Sequence, residues 1–273
     1  MADSTPDPDV TQSAFHVAFR AELYAILDAL TVPRGGRLLD VPCGDGFYSR
    51  RLAERLGPGN RLTAVDTSAE GLRRTAAATA FAGDDVEVLS ANAYRLPFAD
   101  ASFDLVWCAQ SLISLDPDRM AGEMIRVVKP TGVAAILEVD EYHHVLLPWP
   151  AELEAAIPAA VHTACVRKYG NGVKLAPTRK LRGVLGRAGF ASVRRVTYPF
   201  DRAAPFDAPT TTFLVAYFER LRSLAYPHLP AELRSAFDRV TDPGAADSIL
   251  RRPDAELVCL NAVYLARRTA EAT

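Results

Sequence analysis

Between residues 11 and 31, Phe15, Phe19, Leu23, Ile26 and Leu27 recur at threes and fours, the spacing of one apolar helical face. From residue 37 the rhythm changes to short β-rich runs at 37–41 (RLLDV), 61–65 (RLTAV), 86–90 (VEVLS), 103–108 (FDLVWC) and 132–139 (GVAAILEV). Helical stretches at 47–56, 68–80 and 118–128 separate most of them. These strands are apolar through their length, as strands are when both faces of a sheet are covered. The expectation is an α/β fold: a Rossmann-like, mostly parallel sheet of seven strands with helices on both faces and a helical lid.

Local signals place the helix starts. Thr67 and Glu70 fit a capping box, each side chain satisfying the other's free backbone amide. Asp116 followed by Pro117 fits an N-cap with proline at the first helical position. Beyond residue 140 come an alanine-rich helical stretch at 150–168, the loop Tyr169-Gly170-Asn171-Gly172, a helix near 178–188 ending at Gly189, and a strand at 191–199. Residues 201–254 are helical and broken by prolines, with Phe206, Phe213, Tyr217, Phe218, Tyr226 and Phe237, and a last strand follows near 256–266. The division expected is a disordered stretch at 1–10, an N-terminal helical cap at 11–36 and a ligand-binding core at 37–145. A lid insertion and helix at 146–190 follow, and 191–273 supplies the last two strands with a further helical lid insertion at 201–254.

Composition changes this picture little. Of 273 residues, 49% are hydrophobic and 23% charged, with a formal net charge of −2, so no bulk preference for nucleic acid or an anionic membrane is expected. No apolar run approaches the ~18 residues that span a bilayer, and Met1 to Asp9 is acidic and proline-containing without a signal core. A cytoplasmic protein is expected. Cys43, Cys108, Cys165 and Cys259 lie far apart and form no C-x-x-C pair, so buried reduced thiols are expected rather than disulfides or a zinc site.

The first candidate chemistry is the turn Asp40-Val41-Pro42-Cys43-Gly44-Asp45-Gly46, which leads from the first strand into a helix. A ligand of an open α/β sheet binds at the carboxyl ends of the strands, and glycine lets the backbone approach it closely. Two glycines also serve simply to tighten such a turn. The second strand adds Asp66, 26 residues after Asp40, where a carboxylate can accept both hydroxyls of a ribose, although an acid there also suits the start of the next helix. A dinucleotide site needs G-x-G-x-x-G, whereas Gly44-Asp45-Gly46 continues as Phe47-Tyr48-Ser49. Asp45 would also face a pyrophosphate with a like charge.

From residue 37 to about 140 the chain resembles class I S-adenosylmethionine-dependent methyltransferases of the UbiE or type 11 kind. Four ordered blocks carry the resemblance: Leu38 to Gly46, Ala64-Val65-Asp66, Leu96 to Val106, and Glu123 to Gly132. It implies that S-adenosyl-L-methionine is the cofactor. Asp40, Cys43, Gly44 and Gly46 would hold its methionine portion, with Asp66 and the neighbouring Thr67 on the ribose side. Asn92-Ala93 falls where the family often has Gly-Asp-Ala, and an asparagine oxygen can accept from the adenine amine as the acid does. Gln110 falls where relatives line the methionine and acceptor side. Pro42 and Thr131 each replace a glycine of the family pattern, and proline stiffens its turn.

Methyl transfer from an activated sulfonium asks the protein to align an acceptor and, for some acceptors, to remove a proton. The segment after the fifth strand offers Glu138, Asp140, Glu141, Tyr142, His143 and His144. His143 and His144 are the candidate bases, being side chains that titrate near neutrality, and exposed loop histidines are the plainer alternative. Their spacing matches no strong metal rule, so no metal is expected. Tyr24, Tyr48, Glu138 and Tyr169 are the candidate acceptor contacts, with His162 a further option. Arg179-Lys180-x-Arg182 is a solvated helix start or a contact for an anionic substrate. The partner expected is a small aromatic or polyketide-like acceptor, with oxygen favoured as the acceptor atom. Neither nucleic acid nor membrane is expected as a partner, and a homodimer is left open. Three alternatives stand beside this: a tRNA- or protein-directed methyltransferase, a non-catalytic binder of the cofactor, and an enzyme of other chemistry on the same fold.

Overall fold

The structure, a computed structural model, describes residues 8–140, 142–169 and 177–269. The chain divides into two compact units. One comprises Tyr24–Val139, Pro177–Tyr198 and Asn261–Thr273; the other comprises Met1–Leu23, Asp140–Ala176 and Pro199–Leu260.

In the first unit β1 (Arg37–Asp40), β2 (Arg61–Asp66), β3 (Val86–Ser90), β4 (Phe103–Ala109) and β5 (Val128–Glu138) form a parallel sheet in the order β3-β2-β1-β4-β5. β8 (Glu256–Arg267) closes it antiparallel, with Ala262–Ala266 against Glu138–Ala134, and β7 (Ser192–Ala203) pairs with β8. Successive side chains point to opposite faces. Leu39, Val65, Val106 and Ile136 therefore share one apolar layer with Met120 and Met124 of α5 (Pro117–Val127) and Leu181 and Leu185 of α7 (Leu181–Ala188). On β1, Asp40 faces the other way, toward α3 (Phe47–Glu54), which packs against α4 (Ala69–Thr79) and β2.

Among the described residues the expected elements are present, with local differences, and the expected loop at 170–172 lies outside those residues. The N-terminal helical stretch divides at Phe19 into α1 (Pro8–Ala18) and α2 (Arg20–Asp28), so Pro8, Asp9 and Val10 are helical rather than disordered. Residues 1–7 of the expected disordered stretch lie outside the described residues. The N-cap of α4 is Ser68, whose Oγ accepts from Gly71 N at 3.1 Å, and not Thr67. Ser68 takes that place because its own amide is held by Asp66 Oδ1 at 2.8 Å, which fixes the extended backbone a cap needs. Asp116 caps α5 as expected, accepting from Arg119 N at 3.0 Å. β5 starts four residues early because α5 runs directly into it, with a register shift where Phe103 and Leu105 of β4 meet it. Gly132 is essential to that junction, since a Cβ there would lie 2.8 Å from Asp104 O. Thr131 beside it is exposed, so its replacement of a family glycine is tolerated.

The second unit is mainly helical, with α6 (Ala151–Tyr169), α8 (Ala208–Leu224) and α9 (Ala231–Thr241). Phe15 and Phe19 of α1 meet Phe213 of α8 at 5.3 and 5.7 Å between ring centres, and Trp149 stacks on Phe237 of α9 at 6.2 Å. An eighth, two-residue strand, β6 (Val145–Leu146), pairs with Cys259 and Val258 of β8. Among the described residues no helix is long and apolar enough to cross a membrane. The four cysteines are buried thiols, and none of them is in a disulfide.

Candidate functional site

The carboxyl ends of β1, β2, β3 and β4 bring together most of the residues singled out above, and the turn after β1 is their centre. Cys43 N donates to Val65 O at 2.9 Å, which docks the turn on β2, and Gly46 N donates to Cys43 O at 3.0 Å. The Val41–Pro42 peptide is cis. Gly44 has φ +54° and open space where a Cβ would stand. Gly46, at φ +85°, is the N-cap of α3 and, having no side chain, caps none of that helix's first-turn amides. Asp45 Oδ1 accepts from Phe47 N at 3.1 Å.

Two residues of α4 hold the turn from behind. Thr75, fully buried, donates through Oγ1 to Gly44 O at 3.1 Å, and its Cα would lie 2.7 Å from a Cβ on Gly46. A Cβ on Gly71 would lie 2.6 Å from Gly44 O. Gly71 and Thr75 were not legible as site residues, because their role is contact between a helix and a turn about 30 residues away. Thr75→Val keeps the shape of the side chain and removes its donor. It is expected to cost about 1–2 kcal/mol in urea unfolding, whereas Thr75→Ser should lie close to the parent.

Asp40 is 1% exposed and accepts from Ser49 Oγ at 2.5 Å. Burial raises its pKa to about 7, against the lowering effect of Ser49, and the nearby Asp66 and Asp45 push it the same way as burial. Burial, with Asp40 beside it, also pushes the Cys43 thiol up to about 12, so this sulfur is an inert neutral wall. Asp66 is bound into the scaffold: Oδ2 accepts from Gly44 N at 2.9 Å and Oδ1 from Ser68 N. Thr67 beside it is exposed. The site is therefore rich in carboxylates, and among the described residues Asp40 is bonded to no cation. Such a site favours a ligand that brings positive charge.

At the next strand ends, Asn92 is exposed and its Oδ1 already accepts from Tyr94 N at 2.8 Å, while Ala93 is buried. Gln110, at the end of β4, has φ +50° without being glycine, a strained conformation of the kind found at functional positions. It is fixed by Gln110 N donating to Leu137 O at 2.8 Å and by Tyr48 Oη donating to its Oε1 at 3.1 Å. Tyr48 is buried and edge-on to Trp107 at 5.5 Å, and Tyr24 lies against Phe47 at 5.2 Å. Glu138 is also buried, and one oxygen, Oε1, accepts both Ser111 N and Leu112 N at 2.7 Å. Its visible work is to fix the segment that follows β4.

Residues 39–136 match the family described as "Methyltransferase domain". Over this segment the chain is similar to methyltransferase domains. The chain is 35% identical over 130 residues to a demethylmenaquinone methyltransferase of Listeria monocytogenes serotype 4a (strain HCC23), covering 46% of this chain and 53% of that protein. It is 34% identical over 115 residues to the ubiquinone/menaquinone biosynthesis C-methyltransferase UbiE of Hahella chejuensis (strain KCTC 2396), covering 41% and 46%. The chain thus matches about half the length of these curated relatives. The crystal structure of the YcgJ protein from Bacillus subtilis shares the fold, with a TM-score of 0.57 at 14% identity over 92% of this chain and 100% of that one.

The matched segment holds Asp40, Cys43, Gly44, Gly46, Asp66, Thr67, Asn92, Ala93 and Gln110 along one edge of its sheet. The candidate bases belong to the other unit. There His143 is exposed, with its amide donating to Asp140 O at 3.0 Å. His144 Nδ1 lies 3.2 Å from Asp140 O, and the ring is edge-on to Tyr217 at 6.2 Å. Tyr142 Oη and His162 Nδ1 form a hydrogen bond of 2.9 Å. Glu141 and the side chain of Tyr169 lie outside the described residues. Among the described residues no group of three or more His, Cys, Asp or Glu side chains is arranged to hold a metal.

Proposed function

We propose that this protein transfers the methyl group of S-adenosyl-L-methionine to a small aromatic acceptor carrying a phenolic hydroxyl. The observation that carries the reading is the carboxylate-rich turn of a methyltransferase domain, open at Gly44 and braced by Asp66. The cofactor brings an activated methyl group on a sulfonium, together with a cationic ammonium. Asp40 supplies buried negative charge toward that cationic end, the first-turn amides of α3 suit its carboxylate, and Asp66 and Asn92 present oxygens toward the ribose and adenine. Tyr48 holds Gln110 in its strained conformation on the acceptor side.

His144 follows β5 by six residues. If its Nδ1–H donates to Asp140 O, Nε2 bears the lone pair that a base needs. A phenol that gives its proton to Nε2 becomes a phenolate, nucleophilic at oxygen and at the adjacent ring carbons. The histidines favour oxygen as the acceptor atom, while the name of the Hahella relative carries carbon. Both outcomes use the same deprotonation.

Calorimetry with S-adenosylmethionine tests the cofactor. Asp66→Ala is expected to weaken binding about 10- to 100-fold, as loss of charged hydrogen bonds does. Equal binding by parent and variant, or none by the parent, overturns the assignment. For turnover, S-adenosylhomocysteine should accumulate with phenols or hydroquinones, and mass spectrometry of the product locates the methyl group. His144→Ala should lower the rate at least 100-fold near pH 6–7 and less at high pH, where the phenol ionises by itself. A full rate across that range removes the histidine from the mechanism.

A further inference from the structure

Overall charge conceals a segregation that the fold produces. Residues 177–198 and 261–269 hold eight arginines and lysines and no aspartate or glutamate, while the rest of the chain carries 23 basic against 33 acidic residues. These two segments belong to one unit, where β7 pairs with β8 and Ala191 N donates to Arg267 O at 3.0 Å. The result is a basic outer edge on the methyltransferase sheet. Lys180, Arg182, Arg194 and Arg195 are exposed, and none of the four pairs with an acid among the described residues. Asp118 of α5 lies 2.7 Å from Arg187, and Arg195 lies over the Tyr264 ring at 5.8 Å.

The relief of this edge is a second, independent observation. Gly183 and Gly186 are exposed on α7 between Arg182 and Arg187. A Cβ on Gly186 would meet nothing within 4 Å, and one on Gly183 only the guanidinium of Arg187 at 3.5 Å. Packing inside the protein does not require either glycine, and each is a poorer helix former than alanine in an eight-residue helix. They leave a low, featureless strip flanked by cations. The edge begins at the end of the sheet that bears the cofactor turn, because Thr178 O accepts from Tyr264 Oη at 2.5 Å and Tyr264 lies opposite Ile136, near the carboxyl end of β5.

We propose that this edge docks the protein on an anionic lipid bilayer. A flat plane of phosphate headgroups matches a low strip of guanidinium groups, which bind phosphate through two parallel hydrogen bonds. The four named cations are exposed, whereas the Tyr264 ring beneath Arg195 is buried and closed to base stacking, which favours a lipid surface over single-stranded nucleic acid. The inference deepens the reading of an apolar aromatic acceptor, since such molecules concentrate in bilayers. It rests on charge and shape alone, so it can fail while cofactor binding stands.

The test is co-sedimentation of the full chain with phosphatidylglycerol-containing vesicles, against pure phosphatidylcholine vesicles. Binding is expected only to the former and should fall steeply between about 0.05 and 0.5 M salt. R182Q/R194Q/R195Q should weaken it about 100-fold while melting temperature and S-adenosylmethionine affinity stay at parental values. R20Q/R73Q/R239Q, with the same charge change on other exposed sites, should bind like the parent. The proposal is overturned if the parent ignores anionic vesicles, if both triple variants bind equally well, or if a short DNA duplex displaces the protein from vesicles at lower concentration than added vesicles do.

Discussion

Gly46→Ala is expected to take at least about 3 kcal/mol from stability and to abolish measurable cofactor binding, because two penalties fall on one atom. The residue sits at φ +85°, where an L side chain costs about 1–2 kcal/mol, and its new Cβ would lie 2.7 Å from Thr75 Cα on a fully buried helix face. Backbone cannot yield as a side chain does, so the turn or α4 must move. Gly44→Ala is the informative partner. It shares the positive φ, but nothing stands within 4 Å of the added atom, so about 1 kcal/mol of strain is expected in urea unfolding. On the proposed reading that open space faces the cofactor, so Gly44→Ala should still lose affinity at least tenfold. A Gly46→Ala protein as stable as the parent would mean that the turn is not held by α4 as described.

Cofactor affinity is expected to rise with pH up to about 7, by as much as tenfold per unit below that point, and then to level. The cause is Asp40, whose carboxyl burial holds at a pKa of about 7 in the ligand-free fold. A cationic ligand favours the ionised form, so below pH 7 binding must expel a proton. Asp40→Asn should flatten this profile and weaken binding at pH 7.5 by about 10-fold, as calorimetry from pH 5.5 to 7.5 would show. The same shift sets stability in the opposite sense. A carboxyl whose folded pKa is raised supports the fold fully below its unfolded value near 3.9, and that support is lost as pH climbs to about 7. Ligand-free Asp40→Asn should therefore melt higher than the parent at pH 8 and no higher at pH 4. A melting temperature that drops at pH 8 would show that the Ser49 bond outweighs the buried charge.

Local patterns fared according to how local their physics was. Asp116-Pro117 is a cap complete within four residues, and it appears where expected. The Thr67 cap moved by one residue because Asp66, on the preceding strand, fixes Ser68 N instead. Asn92 was expected to present its oxygen to a ligand, and the fold gives one lone pair of that oxygen to its own turn through Tyr94 N. Glu138 stood among acids placed for chemistry, yet its oxygen holds two backbone amides of the segment after β4. In the last three cases the residue type was legible and its hydrogen-bond partner was not.

By itself the sequence determined the order of strands and helices, the glycine turn after the first strand and the acid on the second. Each of these is written in short-range spacing: apolar periodicity, capping residues, and glycines at a strand-to-helix junction. Only tertiary structure decided what braces that turn, since Gly71 and Thr75 act on Gly44 and Gly46 across the gap between two helices. Only tertiary structure, likewise, set the charge of Asp40, which depends on removal from water rather than on its neighbours in the chain. The basic edge is the furthest case. Its cations come from two segments more than 60 residues apart, and a net charge of −2 hides them until β7 and β8 pair. Electrostatics and packing act through space, so chain position carries them only where the fold happens to keep neighbours together.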